Sequence, residues 1–282
     1  MSRARPDDSG ARTDGHGSGA DGRASPPVGS GRGTTPPRDW DGTTYDRISD
    51  SLVRMGAAVL ARLPLRGDER VLDAGCGSGR VTELLAERLP HGSVVALDGS
   101  ASMLAAARRR LARFGDRVEL VQSDLGRPLP VDPPVDAILS TATFHWVPDH
   151  DALFGHLAAV LRPGGRLVAQ CGGAGNIESV MRVLSATGDG WRGPTHFETA
   201  EATEARLRAA GFEQVRCWLV DEPVELEPGE PLETYLRTIV LGAHLERLPA
   251  SARDDFVHEV AERMPAPRLD YVRLNIDARR AP

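Results

Sequence analysis

The 282-residue chain contains no lysine; all 34 of its basic residues are arginine. Schiff-base chemistry and a lysine general base are therefore excluded. Cysteine is scarce: Cys76, Cys171 and Cys217 are odd in number, widely spaced and form no CxxC pair, which argues against a disulfide framework or a zinc site. A reducing compartment, the cytoplasm, is the expectation. No apolar run is long enough to cross a bilayer, so no membrane span is expected. Nor is there a surplus of positive charge: the net charge is −6, which repels a nucleic-acid duplex or an anionic membrane surface. The expected partner is a small molecule rather than nucleic acid or membrane.

Residues 1–38 have almost no aliphatic side chains and consist mainly of Gly, Pro, Ser, Asp and Arg. Such a segment buries too little surface to offset its ordering entropy, and a disordered tail is expected. No apolar stretch follows the first arginines, and Asp7, Asp8, Asp14 and Asp21 are foreign to a transit peptide, so neither leader is expected.

From Trp40 onward strand and helix patterns alternate, the signature of a mostly parallel α/β sheet. Strands are expected at 70–76, 94–98, 118–122, 135–140, 166–171 and 215–220. Helices are expected from Arg80, where Val81, Leu84, Leu85 and Leu89 share a face, and at 102–114, 152–161 and 200–210. Helices at 232–245 and 252–264 interrupt this order. At 269–278 Val272, Leu274 and Ile276 alternate with Tyr271, Arg273 and Asn275 as in a half-buried edge strand. One domain over 39–282 is expected, with cap insertions at about 172–200 and 222–268.

The run Asp73-Ala74-Gly75-Cys76-Gly77-Ser78-Gly79 closes the first strand and opens a helix, where open parallel sheets bind ligands. A tight strand-to-helix turn needs glycine with or without a ligand, so the triplet alone is weak. The dinucleotide fingerprint GxGxxG would place its third glycine at Arg80, which disfavours a nicotinamide or flavin oxidoreductase. A carboxylate at Asp73 repels a pyrophosphate and suits an ammonium group. S-adenosylmethionine (SAM), cationic and free of phosphate, fits. Asp98 ends the second strand, where it can accept from ribose hydroxyls. Asp124 follows the third, where its carboxylate and the Leu125 amide can meet an adenine ring. Three acids at successive strand ends are more than helix caps and solvated loop residues would give.

On these residues the chain resembles the class I SAM-dependent methyltransferases, over about 40–282. Within them Thr143-Phe144-His145-Trp146-Val147-Pro148-Asp149-His150, the turn Leu161-Arg162-Pro163-Gly164-Gly165, Gln170, Trp40, Tyr45 and Tyr271-Val272-Arg273-Leu274 resemble the trans-aconitate 2-methyltransferase group. The resemblance implies a Rossmann-like seven-stranded sheet with an antiparallel last strand and a small helical cap. It also implies methyl esterification of a small carboxylate. It adds Met103, Ser140 and Tyr45 to a cofactor set of Asp73, Gly75, Gly77, Gly79, Asp98, Asp124 and Leu125. Departures cluster near the expected acceptor pocket: Thr141 stands where that group has Asn and His145 where Gln is common. Cys171-Gly172-Gly173 replaces Met-Pro-Asp, and Asn275 and Asp277 replace apolar residues.

A carboxylate acceptor, with an unperturbed pKa of about 4, is already ionised and needs no general base. His145 and Trp146 follow the fourth strand and can wall the transfer site. For a hydroxyl or amine acceptor His145 is the candidate base. Arg273, and after it Arg192 and His196, can bind a carboxylate, and Tyr45 can meet the sulfonium by a cation–π contact. His145, His150 and His156 have no ligand partners at metal-site spacing, so no metal is expected. The alternatives are a C-, O- or N-methyltransferase of a specialised metabolite with a reshaped cap, and a SAM-binding sensor without turnover.

Overall fold

A computed structural model describes residues 39–40, 46 and 48–282. Tyr45 and the segment 1–38 lie outside the described residues. The strand order of the main sheet follows from its elements, numbered here in chain order: α1 (Asp50–Arg62), β1 (Arg70–Ala74), α2 (Arg80–Glu87), β2 (Ser93–Asp98), α3 (Ala101–Leu111), β3 (Val118–Gln122), β4 (Val135–Thr141), α4 (His150–Val160), β5 (Leu161–Gly172), α5 (Glu178–Ser185), α6 (Ala200–Ala209), β6 (Phe212–Asp221), β7 (Val224–Glu225), α7 (Glu230–Tyr235), α8 (Gly242–Glu246), α9 (Arg253–Arg263), β8 (Arg268–Leu269) and β9 (Val272–Arg280). The seven-stranded sheet runs β3-β2-β1-β4-β5-β9-β6. Neighbours from β3 to β5 are parallel, and β9 is antiparallel to both β5 and β6. This is the expected class I methyltransferase topology.

Strands in the middle of such a sheet are covered on both faces and read as continuous apolar runs. Val71, Leu72, Val95, Leu97, Ile138 and Leu139 are accordingly buried. One face packs on α4 and α6 through Leu153, Phe154, Leu157 and Leu207. The other packs on α1, α2 and α3 through Val59, Leu60, Leu85 and Leu104. A third apolar cluster unites α5, α7, α8 and α9 around Val180, Leu184, Leu236, Val257 and Val260. Among the described residues no helix is long and apolar enough to cross a membrane.

Two expectations are corrected. The segment at 269–278 is not at the edge: β9 lies between β5 and β6, and β6 is the outer strand. Its alternation marks two different covers rather than core and solvent, since Tyr271, Arg273 and Asn275 are as buried as Leu274 and Ile276. The helix expected at 232–245 breaks into α7, a π-helical turn at Leu236–Val240 and α8, and Gly242, a poor helix former, opens the second piece.

Candidate functional site

Asp73 lies near the carboxyl end of β1, between Ala96 of β2 and Leu139 of β4. Its Oδ2 accepts from the Thr82 hydroxyl at 2.7 Å, while its buried Oδ1 has no hydrogen-bond partner among the described residues. Burial pushes its carboxyl up to about 7, the Thr82 bond pulling it down and the Asp98 charge adding to the rise. The loop beyond turns back on β2: the amides of Gly75 and Cys76 donate to the Leu97 carbonyl at 2.8 and 2.9 Å. Both Gly75 and Gly77 have positive φ, at 87° and 54°. A Cβ on Gly75 would stand 2.2 Å from Thr143, whereas one on Gly77 would meet nothing within 4 Å. The loop is thus wedged against Thr143, just past β4, on one side and open at Gly77 on the other.

Asp98, at the end of β2, accepts from the Gly77 amide on Oδ2 and from the Ser100 amide on Oδ1, both at 2.8 Å. Burial raises its pKa, and these backbone bonds oppose the rise. Ser100 caps α3 by accepting from the Met103 amide, which seats Met103, buried, in the first turn on the same rim. Asp124 accepts from the Gly126 amide at 2.8 Å, and Leu125 is buried beside it. The Ser140 hydroxyl donates to the Ala74 carbonyl at 2.6 Å, so it ties β4 to β1 below the loop. Asp39 receives the hydroxyl of Ser100 and the amide of Ser102, and Asp46 pairs with Arg110 at 2.6 Å and receives the Ser78 hydroxyl. These two acids, which sequence reasoning missed, tie residue 39 to the start of α3 and residue 46 to the glycine loop.

After β4 the chain makes a short 3-10 turn, Phe144–Trp146. Ala142 enters it at φ 54°, a left-handed conformation unusual without glycine. Phe144 packs edge-on against Phe154, and Asp149 caps α4 by accepting from the amides of Asp151 and Ala152. This frame aims His145 across the strand end. His145 is buried, and its Nδ1 accepts from the Gly172 amide at 3.2 Å. The neutral ring therefore carries its proton on Nε2. Burial, then the Arg273 charge, then His150 drive its pKa down to about 3. Trp146 stands beside it, ring centroids 5.3 Å apart, and is met edge-on by Trp40 at 5.1 Å.

Arg273 on β9 sits opposite Gly172, whose amide holds His145. It is 3% exposed, and its Nε has no hydrogen-bond partner among the described residues. It has no ion pair there either; its guanidinium lies 4.1 Å over the Tyr271 ring and touches Met55 of α1. The Tyr271 hydroxyl is 2.9 Å from that of Tyr235 on α7. Below Arg273 the same face carries Asn275, whose Oδ1 accepts from Gln170 and from Arg62. Arg192 is paired with Glu178 at 3.0 Å and His196 with Glu198 at 3.2 Å, and the His196 amide donates to the His145 carbonyl at 2.8 Å.

The fold, with an acid-tipped strand on each side of a glycine loop, is that of a class I SAM-dependent methyltransferase. A family model described as "Methyltransferase domain" matches residues 71–165. The trans-aconitate 2-methyltransferase of Methylobacterium nodulans is 38% identical over 181 residues, 64% of this chain and 67% of that one. The enzyme of the same name from Acidovorax sp. is 31% identical over 268 residues, 86% of this chain and 99% of that one. A solved phosphoethanolamine N-methyltransferase of Haemonchus contortus, complexed with S-adenosylhomocysteine, shares the fold with a TM-score of 0.57 at 21% identity. That match covers 86% of this chain and 57% of the other. The chain belongs to the family of the trans-aconitate 2-methyltransferases, and SAM is its cofactor.

The residues present fit that cofactor: the unpartnered oxygen of Asp73 suits an ammonium donor, and the open side of Gly77 admits a ligand against the main chain. We propose that Asp73 receives the ligand ammonium and so makes binding pH-dependent. In the free protein it is protonated below about pH 7, and a ligand ammonium favours the ionised form. S-adenosylhomocysteine affinity should therefore fall by about tenfold per pH unit below that point and level off above it. Calorimetry across this range tests it, and Asp73→Asn should abolish the slope. The stability sign is opposite. A carboxyl whose folded pKa exceeds its unfolded value stabilises the free protein at acid pH, and this is lost as pH rises through about 7.

Proposed function

We propose that the enzyme transfers the SAM methyl group to a carboxylate oxygen of a small acid, giving a methyl ester, and that Arg273 receives that acid. One observation carries this: a buried guanidinium without a carboxylate partner among the described residues, beside the strand ends that face the cofactor rim. An uncompensated buried charge is costly, and a ligand carboxylate is the natural counter-ion. The names of the relatives support the same acceptor chemistry.

When bound, SAM supplies an electrophilic methyl on a sulfonium; the acceptor oxygen gains the C–O bond as the C–S bond breaks, and the electron pair stays on sulfur. The protein's part is placement. Arg273 can take the acceptor's carboxylate by its paired N–H groups. His145 can donate from Nε2 to the same group and so fix its rotation. Trp146 and Trp40 exclude water where opposite charges are annihilated, which low polarity favours. The segments 172–200 and 222–268, carrying α5 and α7 to α9, would close over the acceptor. A small-acid acceptor and a SAM supply suit a cytoplasmic enzyme.

The reading with a hydroxyl or amine acceptor requires a base, and His145 is poorly made for one: its only lone pair is engaged by the Gly172 amide, and its pKa is driven down to about 3. His145→Gln should accordingly keep activity within about fivefold, because the amide can still donate, while His145→Phe should lose about tenfold or more. A pH–rate profile should show no limb from His145 near neutrality in either the parent or the Gln variant. The deciding experiment is transfer of labelled methyl from SAM to a panel of small acids led by trans-aconitate. Base-labile label is the expected result. Binding of S-adenosylhomocysteine with no acid labelled would overturn the acceptor.

A further inference from the structure

The residue that follows β6 brings a second charged side chain onto the face that holds Arg273. Val220 lies opposite Arg273 and Asp221 opposite Val272, and the ladder ends with the Glu222 amide donating to the Tyr271 carbonyl at 2.9 Å. Opposed residues of antiparallel strands share a face, and side chains alternate along each strand. Glu222 therefore stands with Tyr271 and Arg273, diagonal to the guanidinium. Diagonal neighbours are about 7–8 Å apart, within reach of long side chains.

The Glu222 Oε2 is buried and has no hydrogen-bond partner among the described residues, and the same is true of Arg273 Nε. Arg110 joins Asp46 at 2.6 Å and Arg80 joins Asp50 at 2.7 Å, whereas Arg62, which bonds Asn275 and the Ala169 carbonyl, likewise has a buried Nε without a partner among the described residues. Here a buried acceptor and a buried donor share a face, and no ion pair joins them among the described residues. Buried polar groups left unmatched in a native protein call for a specific account. A molecule offering both an anion and a hydrogen-bond donor would satisfy the two at once. A second carboxylate in the same place would meet the Glu222 charge instead.

We propose that Glu222 is a specificity-determining residue that receives a hydroxyl or ammonium donor of the acceptor, close to the carboxylate held by Arg273. The preferred substrate class is then a short hydroxy or amino acid, narrower than a simple polycarboxylate. This rests on the carboxylate reading above. Glu222 also lies in the field of Arg62; were charge balance its whole role, removing it would change stability and leave the ranking of acids untouched.

The test uses the full chain, SAM and a matched series: butanoate, 3-hydroxybutanoate, 3-aminobutanoate and butanedioate. The wild-type kcat/KM should favour the two donor-bearing acids over butanoate by about tenfold or more, with butanedioate poorest. Glu222→Gln should remove the advantage of the ammonium and relieve the discrimination against butanedioate, while keeping part of the hydroxyl preference. Glu222→Ala should level the hydroxy acid with butanoate. Thermal unfolding of each variant accompanies the kinetics. An unchanged ranking in both variants overturns the proposal, whatever the melting temperatures do, and so does a wild-type enzyme that takes butanedioate as well as the hydroxy acid. If butanoate is labelled without any preference, this inference falls alone. If no acid in this series or trans-aconitate is labelled while S-adenosylhomocysteine binds, the carboxylate reading falls with it.

Discussion

Arg273→Met should raise the KM for the acid acceptor by about 100-fold or more, while the affinity for S-adenosylhomocysteine stays within about twofold. The two effects separate because Arg273 is on β9 opposite Gly172, whereas the glycine loop and its acids belong to β1 and β2. Arg273→Lys keeps the charge but loses the planar fork and the stacking on Tyr271, and should recover only part of the loss. The stability change should run against the activity change. A guanidinium that is 3% exposed and has no ion pair among the described residues destabilises the free protein. Met, similar in length and neutral, should therefore melt at the same temperature or higher. A Met variant that loses activity and also melts well below the parent would show Arg273 to be a structural residue instead. Initial-rate kinetics on any acid that serves as acceptor, paired with thermal unfolding, reads both.

That opposition between stability and function is what the sequence pattern concealed. Leading into β9, the order Tyr271, Val272, Arg273, Leu274, Asn275, Ile276 reads as a strand with one wet face. The polar face is instead covered by α1, whose Met55 touches Arg273 and whose Arg62 bonds Asn275. Periodicity reports that two faces differ in polarity, and it cannot report that a helix from far upstream covers the polar one. Glu222 was hidden for a related reason, since it opens the segment expected as a cap insertion, and only the register with Tyr271 gives it a face.

The cofactor rim was far more legible, because its signals are local. Asp73, Asp98 and Asp124 each follow an apolar run, and a parallel sheet delivers all such positions to one edge. The glycines report backbone conformations, which do not depend on distant chain segments. What the sequence did not disclose is how the rim is braced. Thr82 on Asp73, Thr143 on the Gly75 carbonyl and Ser140 on Ala74 are hydroxyls whose partners are fixed only by packing. Their types recur throughout the chain in surface turns, so nothing in the sequence sets them apart.

Asp98→Ala should weaken S-adenosylhomocysteine by about 100-fold or more while leaving the fold intact. Each oxygen of Asp98 already accepts one backbone amide, from Gly77 or Ser100, and each has a further lone pair for a ribose hydroxyl. Alanine would remove both such ligand contacts and the acceptors of the loop amides. Asparagine separates the two roles. Its amide nitrogen cannot accept from Gly77 or Ser100, so one of those donors must face another donor, and the loop is disturbed although the side-chain shape is retained. Asp98→Asn should therefore bind almost as poorly as Asp98→Ala. Asp98→Glu keeps the charge but moves it by a methylene, and should bind at an intermediate level. If Asp98→Asn binds like the wild type, the second amide acceptor is dispensable to the loop and the ribose contact does not depend on the carboxylate. Titration of the three variants, with circular dichroism to verify folding, decides between the two roles.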